Sequence, residues 1–218
     1  MKNKYVFVTV MSVVLLVICM GIASLGERAN QNDHLCECKV VTSFYPMYIA
    51  AMNVTEDVPG VELYSLSEPQ TGCLHDFVLT PEDMQLLSTA DVFIINGGGI
   101  ESFMEEVARA YPDLVIIDTT KDLTLLADDE EVNAHAWMNV SIYRGQVEAI
   151  AQGLSACYAQ GKQQFMTNAA AYDEKLRELQ VRQDLLREHY QGQKVVLFHE
   201  ADAYVADALG MQVTMVLD

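Results

Sequence analysis

The feature that most constrains the fold of this chain is a regular alternation of short apolar runs with longer helical patterns. The apolar runs predict strands at residues 39–43, 61–66, 91–95, 114–118, 194–198 and 212–217. The segments between them predict helices at residues 46–53, 81–88, 100–111, 141–158 and 201–209. Strands that alternate with helices indicate parallel sheet built from β-α-β units. The sequence therefore predicts an α/β fold.

A further predicted helix, residues 163–189, is unusually long. It contains neither proline nor glycine and is rich in residues that favour helix. An apolar stripe along it is formed by Leu176, Leu179, Leu185 and Leu186. About 27 residues at 1.5 Å each span about 40 Å, which is longer than most helices of one small domain. We interpret this helix as a connector between two lobes, and an ordinary long surface helix is the alternative.

The N-terminal residues 1–26 have the pattern of a secretory signal or a membrane anchor. Lys2 and Lys4 precede an uncharged, largely apolar run that ends before Glu27. The residues that end at Cys19 resemble a bacterial lipobox, in which the cysteine is lipidated. An uncleaved helix of about 20 residues is the other interpretation. Both interpretations place the rest of the chain outside the cytoplasm. The protein is then either tethered to the membrane, with residues 27–38 as a polar tether, or free in the periplasm.

The charge of the chain excludes one class of partner. The formal net charge is −18, and no basic stripe of the kind that binds phosphates is visible, so we expect no nucleic-acid partner. Apolar residues make up 51% of the chain, which is enough for a sizeable core. The acidic run at residues 127–131 predicts a solvated loop.

Three histidines lie at comparable places in the predicted fold. His75 follows a predicted strand and precedes a helix that Thr80 and Pro81 begin, and His199 directly follows another strand. His135 lies just before a further helix. In open α/β sheets, the ends of strands where helices begin are where ligands bind. Spacing alone does not prove that the three share a site.

Several polar or aromatic residues flank these histidines. We assign them to helix capping, loop shaping and packing rather than to metal ligation. They are Asp76, Glu82, Asp83, Glu101 and Trp137.

The residues around the histidines carry a family resemblance. Residues 72–106 contain His75 shortly after Gly72, a predicted helix that begins with Pro81, and the pattern Asn96-Gly97-x-Gly99-x-Glu101. Residues 135–139 read His-Ala-Trp-Met-Asn, and residues 199–204 read His-Glu-Ala-Asp-Ala-Tyr. Together these motifs resemble the zinc/manganese-specific substrate-binding proteins of bacterial ABC importers (cluster A-I, ZnuA/TroA-like). The resemblance runs from about Lys39 to the last residue.

The resemblance implies a two-lobed substrate-binding protein whose parallel-sheet lobes are joined by a long rigid helix. The boundaries are then residues 39–160 for the first lobe, 161–191 for the helix and 192–218 for an incomplete second lobe. It also implies a monomer that binds a divalent metal through His75, His135 and His199, has no catalytic residue, and delivers the metal to an ABC importer permease. The family's second lobe normally supplies a fourth, carboxylate ligand near its end, and we expect that ligand to be either missing here or lost with a fragment that stops at Asp218.

Two departures from the family pattern concern the second histidine. Asn133-Ala134 and Asn139-Val140 stand where the family has Asp-Pro pairs. Because outer partners orient metal ligands, we expect these changes to loosen the hold on His135.

The proposed ligands bear on the choice of metal. Three neutral imidazoles suit Zn²⁺, whereas Mn²⁺ sites prefer carboxylate oxygen, so we favour Zn²⁺ with Mn²⁺ as the alternative. Three histidines with an open fourth position also occur in zinc hydrolases and hydratases. However, the residues from His199 onward do not form an H-E-x-x-H motif. We therefore expect no enzyme, and an adhesin-like or non-functional fragment is the remaining alternative.

Overall fold

The computed structural model describes residues 38–67, 77–128 and 131–217. Its strands are β1 (Cys38–Thr42), β2 (Val61–Ser65), β3 (Val92–Ile95), β4 (Val115–Asp118), β5 (Ala127–Asp128), β6 (Glu131–Val132), β7 (Lys194–Leu197) and β8 (Gln212–Val216). Its helices are α1 (Tyr45–Thr55), α2 (Pro81–Leu87), α3 (Met104–Ala110), α4 (Val140–Cys157), α5 (Lys162–Tyr190) and α6 (Ala203–Ala208). Every predicted strand and helix is present, which confirms the predicted α/β fold.

The two N-terminal segments fall outside this description. Residues 1–26, the predicted signal or anchor, are not among the described residues, and neither is the predicted tether apart from Cys38. Among the helices of the described ranges, none combines the length and apolar character that a membrane span requires. The predicted domain boundaries at residues 160 and 191 stay predictions.

The first four strands form one sheet in the order β2-β1-β3-β4, and every neighbouring pair is parallel. Consecutive residues of a strand point to opposite faces. Val40 and Ile94 belong to the apolar cluster that includes residues of α1, α4 and α5. Val41 and Phe93 belong to a second cluster, with residues of α2 and α3. Helices therefore cover both faces, as is usual for parallel sheet.

The long helix α5 runs unbroken from Lys162 to Tyr190, which confirms the predicted helix. Phe165 and Leu176 in its first half are buried in the cluster that also contains α1 and α4. The other three leucines of the predicted apolar stripe are exposed. The stripe is therefore used for packing only in the first half of the helix.

The last part of the chain forms a second β-α-β unit. β7, α6 and β8 make up this unit, residues 194–217, which we call the C-terminal segment. β7 and β8 are parallel, with Lys194 opposite Gln212. Arg187, near the end of α5, donates from Nη1 to the carbonyls of Asp207 and Ala208 at 3.1 and 3.0 Å. A cation suits the carbonyl end of a helix, so α5 helps to position α6.

Helix α3 begins four residues later than predicted, at Met104 instead of residue 100. The reason is the buried carboxylate of Glu101, which accepts hydrogen bonds from the nearby backbone N–H groups of Asn96 and Gly97 and from the hydroxyl of Ser43, 58 residues away. Gly97 has a φ of 85°, a backbone conformation that favours glycine. The chain therefore makes a turn here before the helix begins.

The acidic run at residues 127–131 is not simply a solvated loop. β5 and β6 pair there as short antiparallel strands, with Ala127 opposite Val132. The prediction of a loop was wrong for the residues in these strands. Acidic side chains are unusual in strands, so composition alone did not indicate the pairing.

An ion pair between α4 and α5 gives the first testable prediction. Asp173 on α5 accepts hydrogen bonds from the guanidinium of Arg144 on α4 and from Arg177 one turn further along α5. The Arg144 guanidinium lowers the pKa of Asp173. We expect Asp173→Asn to reduce the free energy of unfolding by about 1–2 kcal/mol at neutral pH. Urea denaturation measures this change.

The control for this prediction is Glu105→Gln, because Glu105 pairs with Arg109 on the exposed surface of α3. That change should cost less than about 0.5 kcal/mol. Because the pKa of Asp173 is lowered by folding, its contribution is present above the unfolded value of about 3.9 and is lost as pH falls through the folded value. The difference between parent and Asp173→Asn should therefore shrink below about pH 4, and a pH-independent difference would contradict the assignment.

Candidate metal centre

His135 lies in the connection between β6 and α4. It immediately precedes a 3-10 turn (Ala136–Met138), and it is 3% exposed. Asn139 then caps α4, because its Oδ1 accepts from the backbone N–H groups of Ser141 and Ile142 at 2.9 and 3.3 Å. The turn and the cap leave the backbone of His135 little freedom.

The ring of His135 is oriented through Nδ1. Asn133 Oδ1 lies 3.0 Å from this ring nitrogen and 3.0 Å from the backbone nitrogen of His135. Glu200 Oε1 lies 3.5 Å from the same ring nitrogen. Both neighbours are acceptors, so the proton of the neutral imidazole belongs on Nδ1 and Nε2 keeps its lone pair. A histidine that ligates a metal through Nε2 needs this tautomer.

Asn133 and Asn139 both make hydrogen bonds in the turn around His135, and the expectation that they hold it more loosely than the family's Asp-Pro pairs stays a prediction. Asn133 accepts from the backbone of His135 and contacts its ring, and Asn139 caps the helix that follows. An amide oxygen can accept the same hydrogen bonds as a carboxylate oxygen, although without the charge. The two asparagines therefore preserve the turn around His135.

His199 lies two residues after the end of β7 and is the N-cap residue of the 3-10 turn Glu200–Asp202. Its Nδ1 accepts a hydrogen bond of 3.0 Å from the backbone N–H of Ala201. An accepting Nδ1 carries no proton, so the neutral ring has its proton on Nε2. His199 can therefore ligate a metal through Nδ1 after giving up this bond, or through Nε2 after the proton moves and the ring turns.

The structure brings His135 and His199 together. Their ring centroids are 5.1 Å apart, and the rings are nearly perpendicular. Trp137 lies against His135, with ring centroids 5.2 Å apart, and packs edge-on against Phe44 at 4.8 Å. The two imidazoles are therefore adjacent, as the predicted shared metal site requires.

His75, the first of the three predicted ligands, lies outside the described residues. The helix after it is described, and its predicted capping box is present: Thr80 Oγ1 accepts from Asp83 N, and Asp83 Oδ2 accepts from Thr80 N. Of the side chains that the structure describes, no group of three or more His, Cys, Asp or Glu forms a metal cluster. The full three-histidine site stays a prediction.

Asn96, which follows β3, connects the sheet to the loop that carries His135. Its Nδ2 donates to the carbonyls of Ala134 and Gly97, both at 2.8 Å. Its Oδ1 accepts from Gln146 Nε2 on α4 at 2.9 Å. Asn96 is fully buried, so water does not compete for these hydrogen bonds. Asn96 therefore fixes the residue immediately before His135.

Glu101 completes this buried network. Its Oε1 accepts from Ser43 Oγ at 2.8 Å and from Asn96 N at 2.7 Å, and its Oε2 accepts from Gly97 N at 3.0 Å. Burial raises the pKa of Glu101, while these three hydrogen bonds act in the opposite direction. The role of Glu101 is to shape the turn after β3, as predicted for this residue.

Sequence reasoning did not single out Gln146 or Glu200. Gln146 is fully buried on the packed face of α4, between Tyr143 and Ile150. Gln146 is an amide at a position where the helical spacing otherwise places apolar residues. That pattern could have identified it as a buried polar residue with hydrogen-bond partners. The contact of Glu200 with His135 depends on how the C-terminal segment packs, and no local pattern indicates it.

Comparison with known proteins now places the chain in a family. The family described as "Zinc-uptake complex component A periplasmic" (ZnuA) matches residues 40–217, so the chain belongs to it. It is 26% identical over 205 residues to the manganese-binding lipoprotein MntA of Halalkalibacterium halodurans, covering 91% of this chain and 67% of MntA. It is 29% identical over 197 residues to the iron-binding protein YfeA of Yersinia pestis, covering 87% of this chain and 62% of YfeA.

A solved structure supports the same assignment. The crystal structure of Zn(II)-bound AdcA from Streptococcus pneumoniae matches with a TM-score of 0.74 and 26% identity, over 82% of this chain and 39% of AdcA. The chain is thus shorter than these relatives, and it spans 62% of YfeA.

The second testable prediction concerns the network around Asn96. Asn96→Ala removes one of the two partners of the Ala134 carbonyl, which keeps the N–H of Ala136, and one of the two partners of Gln146 Nε2, which keeps Thr119 Oγ1. We expect a loss of about 2–4 kcal/mol in the free energy of unfolding, measured by urea denaturation. The matched control is Asn53→Ala, because the described hydrogen bond of the partly buried Asn53 side chain is a local one, to the Ile49 carbonyl of the same helix. Equal losses for the two variants would contradict the claim that the buried hydrogen bonds of Asn96 contribute more to the free energy of unfolding than a local bond within a helix.

Proposed function

We propose that this protein captures a divalent metal ion outside the cytoplasmic membrane and delivers it to the permease of an ABC importer. The observation that carries the proposal is the close approach of His135 and His199, whose ring centroids are 5.1 Å apart. The buried ring of His135 also has the tautomer that presents Nε2 to a metal. His75 is the third proposed ligand.

Zn²⁺ is the favoured metal of this proposal, with Mn²⁺ as the alternative. Imidazole nitrogen suits zinc, and the family is described as a zinc-uptake component. The relatives are named for different metals, since AdcA is Zn(II)-bound, MntA is manganese-binding and YfeA is iron-binding. The proposal therefore rests on the ligand type in this chain more than on any one relative.

The proposed location follows from the N-terminus and the family. The family description is periplasmic, and MntA is named as a lipoprotein. Residues 1–26 have the pattern of a signal or anchor, and Cys19 is the candidate for lipidation. We propose an extracytoplasmic monomer that is tethered to the cell membrane through this end. No nucleic-acid partner is expected for a chain of net charge −18.

The third testable prediction concerns the three proposed ligands. His75→Ala, His135→Ala and His199→Ala should each weaken zinc binding by about 10-fold or more, because each removes one bond to the ion. Binding should also weaken as the solution is made more acidic, since only neutral imidazole ligates. Isothermal titration calorimetry with Zn²⁺, repeated with Mn²⁺ and Fe²⁺, measures both effects.

The controls are His34→Ala and His189→Ala, which should leave zinc affinity within about twofold of the parent. His189 lies in the last turn of α5, and its described ring contact is with Tyr190 rather than with either histidine of the pair. Parent-like zinc affinity for His199→Ala would end the three-histidine proposal. Tighter binding of Mn²⁺ than Zn²⁺ would reverse the choice of metal.

The fourth testable prediction separates capture from catalysis. We propose no chemical turnover, because neither a paired general base nor an H-E-x-x-H motif accompanies His199 in the sequence. Ester hydrolysis and carbon dioxide hydration by the zinc-loaded protein should not exceed the rate of the same concentration of free Zn²⁺. Turnover above that rate, if it is lost in His135→Ala, would favour the hydrolase or hydratase alternative.

A further inference from the structure

Asn133 contacts two parts of the chain that are distant in sequence. The backbone N–H of His135 can only donate, so the Asn133 atom that faces it at 3.0 Å must be the oxygen Oδ1. The other end of the same amide is therefore the donor Nδ2. It donates to the backbone carbonyl of Glu200, in the C-terminal segment, at 2.8 Å. One planar group thus joins His135 to the residue that follows His199.

Tyr204 adds a second link at the same place. This tyrosine of α6 is fully buried. Its hydroxyl donates to the carbonyl of Asn133 at 2.6 Å and accepts from the backbone N–H of Leu126 at 3.1 Å. The hydroxyl therefore bonds to both ends of the β5–β6 hairpin: it accepts from Leu126 before β5 and donates to Asn133 after β6. We call these hydrogen bonds of Asn133 and Tyr204 the Asn133–Tyr204 contact.

We propose that Asn133 and Tyr204 are positioning residues that couple metal capture by His135 to the docking of the C-terminal segment. The proposal rests on the proposed function, since it assumes that His135 ligates the metal. The oxygen of the Asn133 amide sets the ring of His135, and the nitrogen of the same amide is bonded to Glu200. A displacement of the C-terminal segment by about 1 Å would stretch the Nδ2 bond beyond hydrogen-bond range or pull the amide away from His135.

The coupling acts in both directions. When a metal binds Nε2 of His135, the Nδ1–H group becomes a stronger donor, so Asn133 is fixed more firmly. A fixed Asn133 keeps the carbonyl of Glu200, and with it His199, near the metal. By linkage, the factor by which docking of the C-terminal segment strengthens metal binding equals the factor by which metal binding strengthens that docking.

The first variant of the test is Tyr204→Phe, which removes one hydroxyl and changes no proposed ligand. Its matched control is Tyr143→Phe, because the hydroxyl of Tyr143 also donates to one backbone carbonyl, that of Pro46 at 2.9 Å, away from the contact. Zinc affinity should fall about 3- to 10-fold in Tyr204→Phe, as expected for a lost buried hydrogen bond, and stay within about twofold in Tyr143→Phe. Circular dichroism and melting curves establish that both variants are folded.

Hydrogen exchange gives a readout that a merely structural role would not change. In the parent, Zn²⁺ should slow amide exchange in residues 194–217 and at Leu126, and this zinc-dependent slowing should be largely lost in Tyr204→Phe. Asn133→Asp is the second variant, because it keeps an oxygen for His135 but removes the donor to Glu200. It should lose the zinc-dependent slowing in the C-terminal segment even though the ring of His135 retains an acceptor.

The outcomes separate the two proposals. A parent that binds no zinc overturns the proposed function and the coupling together. A parent that binds zinc, with Tyr204→Phe and Asn133→Asp equal to it in affinity and in zinc-dependent exchange, overturns the coupling alone. If Tyr204→Phe does not fold, Asn133→Asp decides by the same two measurements, since Asn133 is only partly buried.

Discussion

The described structure depends most on the hydrogen bonds at the carboxyl end of β3. Asn96 and Glu101 are buried there, and a buried polar group without a partner costs about 1–3 kcal/mol. Beyond the turn itself, their partners come from four places: Ser43 after β1, Thr119 after β4, Gln146 on α4, and Ala134 in the loop before His135. The same hydrogen bonds that satisfy the end of the strand therefore also assemble the sheet, the helix and the candidate metal centre.

Much of the fold could be predicted because the two central strands are buried on both faces. Such a strand reads as a continuous apolar run, as in Val92–Ile95, and needs no tertiary information to be recognised. The long helix was predictable because neither proline nor glycine interrupts it. The start of α3 was not predictable. The residues before Met104 have helical composition, but the carboxylate of Glu101 is bonded to Ser43, 58 residues away, as well as to the turn at Asn96 and Gly97.

The candidate site was predictable to a smaller extent. The approach of His135 and His199 could be expected from family motifs and from their places at the ends of elements, and the structure brings these two together. His75 stays a prediction. Asn133 stands where the family has an aspartate, and the change was expected to loosen the hold on His135. That expectation considered only the oxygen of its side chain, as an acceptor near His135. Its second role needs a carbonyl 67 residues away, and only the folded chain reveals that an amide donor is useful there.

The two described histidines differ in a way that bears on capture and release. His135 is 3% exposed, and its backbone, its ring and the residue before it all have hydrogen-bond partners. His199 is exposed, and the described contact of its ring nitrogen is a cap to Ala201 that it must give up or rearrange in order to ligate. A fixed ligand reduces the ordering cost of binding, whereas a ligand with an alternative hydrogen-bond partner makes dissociation easier. Within the proposed function, this asymmetry lets one site bind a metal specifically and still release it, because His199 can return to its cap while His135 stays in place.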